Sequence, residues 1–301
     1  NGNGLDNLSS NADVVSGQAR GNNGATSANL RGQGANATLV LLNGRRIAAH
    51  GLNGGVIDLN QIPFVAVERV EVLKGLSGIQ AGQSAPGGLV NLVVKRPVDH
   101  LRRATLEWQQ SGTATLSMDW SERWGGDPSL GLQSGLRVNA SASHLDPVFR
   151  QAQGQRRMVA VAADTRLGGG GWLEVEMESS HQSQPSVPGF SLLGNTVPAA
   201  SGIDPRINLN NQPWSQPTVL GGLTGTLRYE LTLNPQWRVV AQAGTQRLKS
   251  NDRIAFPFGC GNENDYTRYC SDGSFDLYDF RSEGERRTTD ALDLSLSGSA
   301  S

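Results

Sequence analysis

Few side chains in this sequence are spaced for covalent chemistry. The four histidines, His50, His100, His144 and His181, are scattered along the chain, and neither a metal cluster nor a Ser-His-Asp set can be built from them. Glu174, Glu176 and Glu178 stand two apart, which on a strand puts three carboxylates on one face. Cation binding is one reading of that row, but a polar lumen facing arginines explains it more simply. Gly32-Gln33-Gly34-Ala35-Asn36-Ala37 superficially suggests a dinucleotide loop, yet it precedes a strand instead of following one and opening a helix. Cys260 and Cys270 are the only cysteines. With no CxxC and no neighbouring histidine they make a poor metal pair, whereas an oxidising compartment would join them as a disulfide. The expectation is a protein with no catalytic residues, no resident metal and no cofactor, working through its surfaces.

The elements that hold these residues follow from the period of the sequence. Eight runs alternate apolar and polar side chains: 104–109, 114–120, 136–143, 159–164, 173–178, 223–231, 237–243 and 292–297. Period two means strands with one apolar and one polar face. The connections after the second, fourth and sixth runs are short, Gly125–Pro128, Gly168–Gly171 and Leu233–Gln236. Those after the third, fifth and seventh lengthen to about a dozen, about thirty and about thirty-five residues, the asymmetry of an outer-membrane barrel. Trp108, Trp120, Trp172 and Trp237 lie near run ends, where an aromatic belt would sit. A soluble sandwich has no reason to gather its long loops at one end.

Composition is compatible with this. The chain has 301 residues, 38 of them glycine, a formal net charge of −1 and three lysines. A near-neutral chain has no general electrostatic reason to bind nucleic acid. No run of about 18 apolar residues marks a membrane helix, which leaves a β-barrel open. Residues 1–30 are rich in Asn, Gly and Ser and read equally as a flexible lead-in or as small-domain structure. No signal peptide is visible, and the last residues read as a strand in progress, so a fragment is expected.

Before the alternating runs lies a different kind of module. Thr38–Leu42 and Arg45–Ile47 flank Asn43-Gly44, the strongest short hairpin signal. Val65–Val67 reads as a helical turn, Glu68–Leu73 and Leu89–Val94 as strands, and Pro97 as a stop. Residues 1–100 are therefore assigned to a small α+β domain of about four strands and 101–301 to the first part of a barrel.

The strings Val67-Glu68-Arg69-Val70-Glu71-Val72-Leu73-Lys74-Gly75 and Ser84-Ala85-Pro86-Gly87-Gly88 through Lys95-Arg96-Pro97 resemble the plug signature of TonB-dependent outer-membrane receptors. The Ala-Pro-Gly-Gly and Lys-Arg-Pro variants are similar to the ferric-siderophore branch. The resemblance implies a plug inside an antiparallel transmembrane barrel of about 22 strands, of which about eight would be present. It implies a bacterial outer-membrane location among lipid, a ferric siderophore as cargo, and TonB as energy-transducing partner through a box that would precede Asn1. Iron would arrive within the siderophore complex. Arg31 matches a plug arginine that pairs with barrel glutamates beyond Ser301, and Lys74 stands where a second usually does, without the bidentate fork.

On the strand order, Gly32–Ala37 and Ala48–Gly55 become plug apices, which makes Gln33, Asn36, His50 and Asn53 the ligand-contact candidates. Tyr266, Tyr269 and Tyr278 could close over the ligand from the outer loop. Two alternatives stand beside this reading: the same architecture with haem, cobalamin or an oligosaccharide as cargo, and an outer-membrane adhesion or enzyme barrel.

Overall fold

A computed structural model describes residues 27–49, 57–62, 64–75, 86–125, 133–187, 199–202, 204–257 and 259–298. The leading module is a four-stranded sheet: β1 (Thr38–Leu42), β2 (Arg45–Arg46), β3 (Val67–Lys74) and β4 (Gly88–Val94), in the order β2-β1-β4-β3. β1 and β2 are joined by the expected turn, with φ of 49° at Asn43 and 77° at Gly44, the two positive values that an Asn-Gly hairpin accommodates. β4 runs parallel to β1 and antiparallel to β3. One face of β1 and β4 carries Val40, Leu42, Val90, Leu92 and Val94, which pack with Ile47, Ile57 and Ile62 into the buried core. Each such side chain contributes about 1.5–3 kcal/mol on burial. A 3₁₀ turn at Phe64–Ala66 leads into β3, as the sequence suggests. Among the described residues the module's helical content is confined to such short turns. Ser27–Asn29 have no regular structure and Arg31 takes a left-handed φ of 59° within a 3₁₀ turn, so a turn, not a strand, leads into the Gly32–Ala37 segment.

The remaining strands form one antiparallel sheet in sequence order: β5 (His100–Trp108), β6 (Ala114–Trp124), β7 (Ser134–Leu145), β8 (Gly154–Leu167), β9 (Gly171–Gln184), β10 (Thr218–Asn234), β11 (Trp237–Pro257) and β12 (Leu277–Gly298). Each alternating run falls within one strand, except that Gln109 lies one residue past β5. The apolar set faces outward and stays exposed: Leu106, Leu116, Met118, Val159, Val175, Met177, Leu223, Leu227, Leu292, Leu294 and Leu296. Leu292 is 84% and Leu294 75% exposed, values that water would penalise and lipid would not. The inward face carries Asp119, Arg137, Asn139, Asp164, Glu176, Glu178, Thr224, Thr226 and Gln246, all buried.

Two expectations change. β11 and β12 pair continuously out to Pro257 and Leu277, so the connection expected to hold about thirty-five residues shrinks to 258–276. Ladder hydrogen bonds do not require apolar side chains, and this hairpin keeps pairing beyond its apolar stretch through a bulge at Ser250/Asp252. Tyr278 accordingly lies on β12, not in a loop. The second change concerns the aromatic belt. Trp108 and Trp237 face outward at opposite ends of the sheet, and Trp124 joins Trp237 at the lower end. Trp172 instead shares the inward register of Glu174, to which its Nε1–H donates at 3.0 Å, and lies under the guanidinium groups of Arg166 and Arg123. Trp120 is outward but sits four residues short of the end of β6.

Candidate functional site

The functional geometry is the seam between the leading sheet and the inward face of the wall. Its best-built part is the chain leaving β4. Lys95 Nζ reaches Asp119 at 3.0 Å and Asn139 at 3.2 Å. The Arg96 carbonyl accepts from Arg137 Nη1 at 2.8 Å, and the Pro97 carbonyl from Arg123 Nη2 at 2.8 Å. Val98 exchanges both backbone groups with Ser121 Oγ at 2.8 and 2.9 Å. The two arginines are themselves fixed by bidentate pairs, Arg137 with Asp119 and Arg123 with Asp164, at 2.8–2.9 Å. Bidentate guanidinium–carboxylate pairs add direction as well as strength. Residues 96–98 are therefore gripped through their backbone by side chains of β6 and β7.

A second set holds the β1–β2 hairpin. Asn43 Nδ2 donates to both carboxylate oxygens of Glu176, at 2.9 and 2.8 Å, while Asn43 Oδ1 accepts from the Val94 N–H at 3.0 Å. Arg45 reaches Thr226 Oγ1, and the Ala48 N–H donates to Gln246 Oε1 at 2.7 Å. Arg96 Nη2 bridges Glu176 at 2.6 Å and Glu174 at 3.3 Å. Glu174 and Glu176 thus meet the plug's Arg96, as the lumen reading expected, and Glu176 meets Asn43 as well. Lys95, Arg96, Asn43 and Arg45 were not expected as the contacts. The sequence signal for them was the charge on the polar register of β6 to β9, which needs counter-charges on whatever fills the lumen.

The expected site residues separate. Gln33 and Asn36 are exposed and lie beyond the start of β1, at the end of the sheet away from the Asn43–Gly44 turn. His50 and Asn53 lie outside the described residues. Arg31 and Lys74 are exposed, and among the described residues neither forms an ion pair.

Cys260 and Cys270 are joined in a disulfide with a Cα–Cα distance of 5.0 Å. Glu263 lies beside them, but both sulfurs are committed to each other, so the trio offers no thiolate ligands. The loop they close is knit by Asp276 to the Gly261 N–H at 2.8 Å, Glu263 to the Ser271 N–H at 2.7 Å, and Tyr269 against Phe275 with ring centroids 4.9 Å apart. Asp265 accepts from Thr267 and Arg268, and those hydrogen bonds hold its carboxyl down at about 2. Tyr266 and Tyr269 belong to this loop, with Tyr266 49% exposed at its surface.

With this geometry established, the comparisons are specific. Residues 1–89 match the TonB-dependent Receptor Plug Domain family. The ferric enterobactin receptor PirA of Pseudomonas aeruginosa is 39% identical over 91 residues, which cover 28% of this chain and 12% of that protein. The leading residues of the chain carry the plug domain of TonB-dependent receptors. The family match begins at residue 1, so the Asn- and Gly-rich opening belongs to the plug.

Two solved structures extend the likeness over the wall. The ferric-catecholate import receptor Fiu of Escherichia coli superposes on 87% of this chain with a TM-score of 0.66 at 19% identity. The pyoverdine receptor FpvA of Pseudomonas aeruginosa, bound to pyoverdine, superposes on 85% with a TM-score of 0.69 at 16% identity. At such identities the likeness is one of fold: a plug seated in a barrel. In each case the chain accounts for 36% of the solved receptor. The seam described above is therefore a plug–barrel interface. The long connections lie at one end of the wall and the Asn43–Gly44 turn points toward the other.

Proposed function

We propose that the whole protein binds a ferric siderophore at its outer face and imports it with energy transmitted by TonB, without covalent chemistry on the cargo. The observation that carries this reading is the plug sheet docked against the polar inner wall, its exit segment 96–98 gripped by Arg123, Arg137 and Ser121. A plug held in this way admits cargo only if it is moved, and moving it takes work. The names of the relatives support iron chelates as cargo, with ferric catecholates the first class to test. Gln33, Asn36, His50 and Asn53 are the proposed ligand contacts from the plug, with Tyr266, Tyr269 and Tyr278 from the outer loop and strand. Arg31 and Lys74 are proposed to lock the plug to further glutamates of a complete barrel of about 22 strands. In this reading residues 1–100 act as the plug and 101–301 as the first part of the barrel.

The test is uptake of radioactive iron by cells carrying the full-length receptor, with catecholate, hydroxamate and carboxylate chelates offered separately. Accumulation of at least one chelate should fall to background when the proton gradient is collapsed, while surface binding persists. Accumulation that continues undiminished without the gradient would sink the proposal, and uptake of haem or cobalamin in place of every iron chelate would reassign the cargo.

A further inference from the structure

The turn of the β1–β2 hairpin carries a reaction of its own, which the seam holds in check. Among the described residues Asn43-Gly44 is the only Asn-Gly pair. In such a pair the glycine nitrogen can attack Cγ of the asparagine, because no β-carbon hinders its approach. The bond from Gly44 N to Asn43 Cγ forms and the Cγ–Nδ2 bond breaks. The proton of the attacking nitrogen leaves with the amide as ammonia. Water then opens the succinimide at one or other carbonyl, giving aspartate or isoaspartate.

Each group that this step needs is tied down in the docked plug. The Gly44 N–H donates to Asn91 Oδ1 at 2.8 Å, and Asn91 is braced in turn by donating to Glu71 Oε2 at 2.9 Å. The leaving nitrogen, Asn43 Nδ2, donates to both oxygens of Glu176 at 2.9 and 2.8 Å. Asn43 Oδ1 accepts from the Val94 N–H at 3.0 Å. A carboxamide held at both ends cannot swing over Gly44. Of these partners only Glu176 stands on the wall, so it alone is lost when the hairpin withdraws. Gly44 is exposed, which keeps water at hand for the second step.

We propose that Asn43 is a modification site gated by the seam, stable while Glu176 holds it and converted to aspartate or isoaspartate once the hairpin leaves the wall. The product does not reseat. A carboxylate at position 43 faces Glu176, whose side chain is 5% exposed and whose partner Arg96 is already shared with Glu174. Two like charges in so dry a place repel strongly. Isoaspartate also lengthens the backbone of a two-residue turn, and loop length fixes the register of a hairpin. Conversion therefore marks a receptor whose plug has moved and keeps its hairpin from docking again. The mark rests on plug displacement during uptake, whereas the guarding of Asn43 by Glu176 does not.

The experiment incubates the purified full-length receptor in mildly alkaline buffer and follows its tryptic peptide Gly32–Arg45 by mass spectrometry, with enzymatic methylation to count isoaspartate. E176A should convert Asn43 roughly 100-fold faster than wild type, the factor by which loss of a buried partner favours opening. A synthetic peptide of residues 38–46 sets the upper limit. Should E176A fail to fold, as judged by heat-modifiable electrophoretic mobility, N91A leaves the wall intact, frees the Gly44 N–H and should convert about tenfold faster than wild type. Wild-type conversion as fast as that of the peptide would overturn the proposal, as would E176A within about threefold of wild type. N43D supplies the product directly and should raise amide exchange at residues 41–46 as E176A does; exchange at the wild-type rate would show that the product reseats. In cells, conversion should rise during iron uptake and stop when the proton gradient is collapsed. Protection of the purified receptor without conversion in transporting cells would remove the mark of plug movement, while uptake itself is judged by the radioactive-iron assay.

Discussion

Glu176 is the residue on which the hairpin contact converges, and replacing it with alanine tests the seam most directly. Its side chain is 5% exposed and accepts from Arg96 at 2.6 Å and from Asn43 at 2.9 and 2.8 Å. Removing one partner of a buried pair costs about 3–5 kcal/mol, because the other is left without compensation. Arg96 keeps Glu174 at 3.3 Å and is itself 30% exposed, which places this case at the lower end, about 3 kcal/mol. Hydrogen exchange reads such a local cost as a faster opening, with tenfold for every 1.4 kcal/mol. In the full-length receptor E176A should therefore raise exchange at the backbone amides of residues 41–46 and of Val94 roughly 100-fold. The Val94 amide is included because it donates to the same Asn43. Amides in the β10–β11 ladder should be unaffected. E176Q keeps an acceptor for Asn43 but removes the charge facing Arg96, and should fall between, at about tenfold. Exchange in E176A within threefold of wild type would show that the seam does not hold the hairpin.

Three further outcomes are expected. Leu294→Arg places a cation within the exposed apolar stretch of β12 and should cost about 2–4 kcal/mol of folding into bilayers, whereas S295N on the inward face should fold as wild type; equal folded fractions of L294R and wild type on heat-modifiable gels would contradict the outward assignment. Replacing Cys260 and Cys270 with serine should remove roughly 3 kcal/mol of loop stability in the chain-entropy picture, seen as faster trypsin cleavage after Arg268. An unchanged cleavage rate would mean that the loop is ordered by its hydrogen bonds alone. Asp265, held at about 2 below its ordinary 3.8, stabilises the loop fully above pH about 4 and loses that contribution as pH falls through about 2. A carboxyl carbon titration by NMR with a midpoint at or above 3.8 would refute the Thr267 and Arg268 bonding.

How much of this was legible in the sequence differs by element. Alternation located all eight wall strands because a one-residue slip would turn Leu292, Leu294 and Leu296 inward, so the pattern is strongly specified. Asn43-Gly44 located the hairpin because few other dipeptides accept two positive φ values cheaply. Strand length was read too short for β11 and β12. Beyond Ala243 their outward side chains are Thr245, Arg247 and Lys249, and a search for apolar alternation stops where the membrane does, although the ladder continues. Trp172 was misplaced because a tryptophan near a strand end suits a lipid interface and a cation stack equally. Only the parity of Glu174 decides between them, and parity must be counted from the register.

The grip on residues 96–98 was illegible for a different reason. Lys95-Arg96-Pro97 can be recognised as a motif, but its work is done by carbonyls and an N–H, which every residue carries. Arg123, Arg137 and Ser121 lie on the inward register of β6 and β7, where any polar residue would satisfy the pattern. What distinguishes the two arginines is that each is already satisfied by a carboxylate of the wall, Arg137 by Asp119 and Arg123 by Asp164, before it reaches the plug. A guanidinium braced in this way has little rotamer freedom left to lose on docking, so the wall presents the segment with donors already aimed. Pulling the segment away would strand those donors in a buried seam. The β1–β2 hairpin contrasts with this arrangement, since Asn43 and Arg45 bring the donors from the plug side. Force applied through the plug should therefore release the hairpin before it releases residues 96–98, because the hairpin's donors leave with it while the wall's donors stay where water must replace their partners.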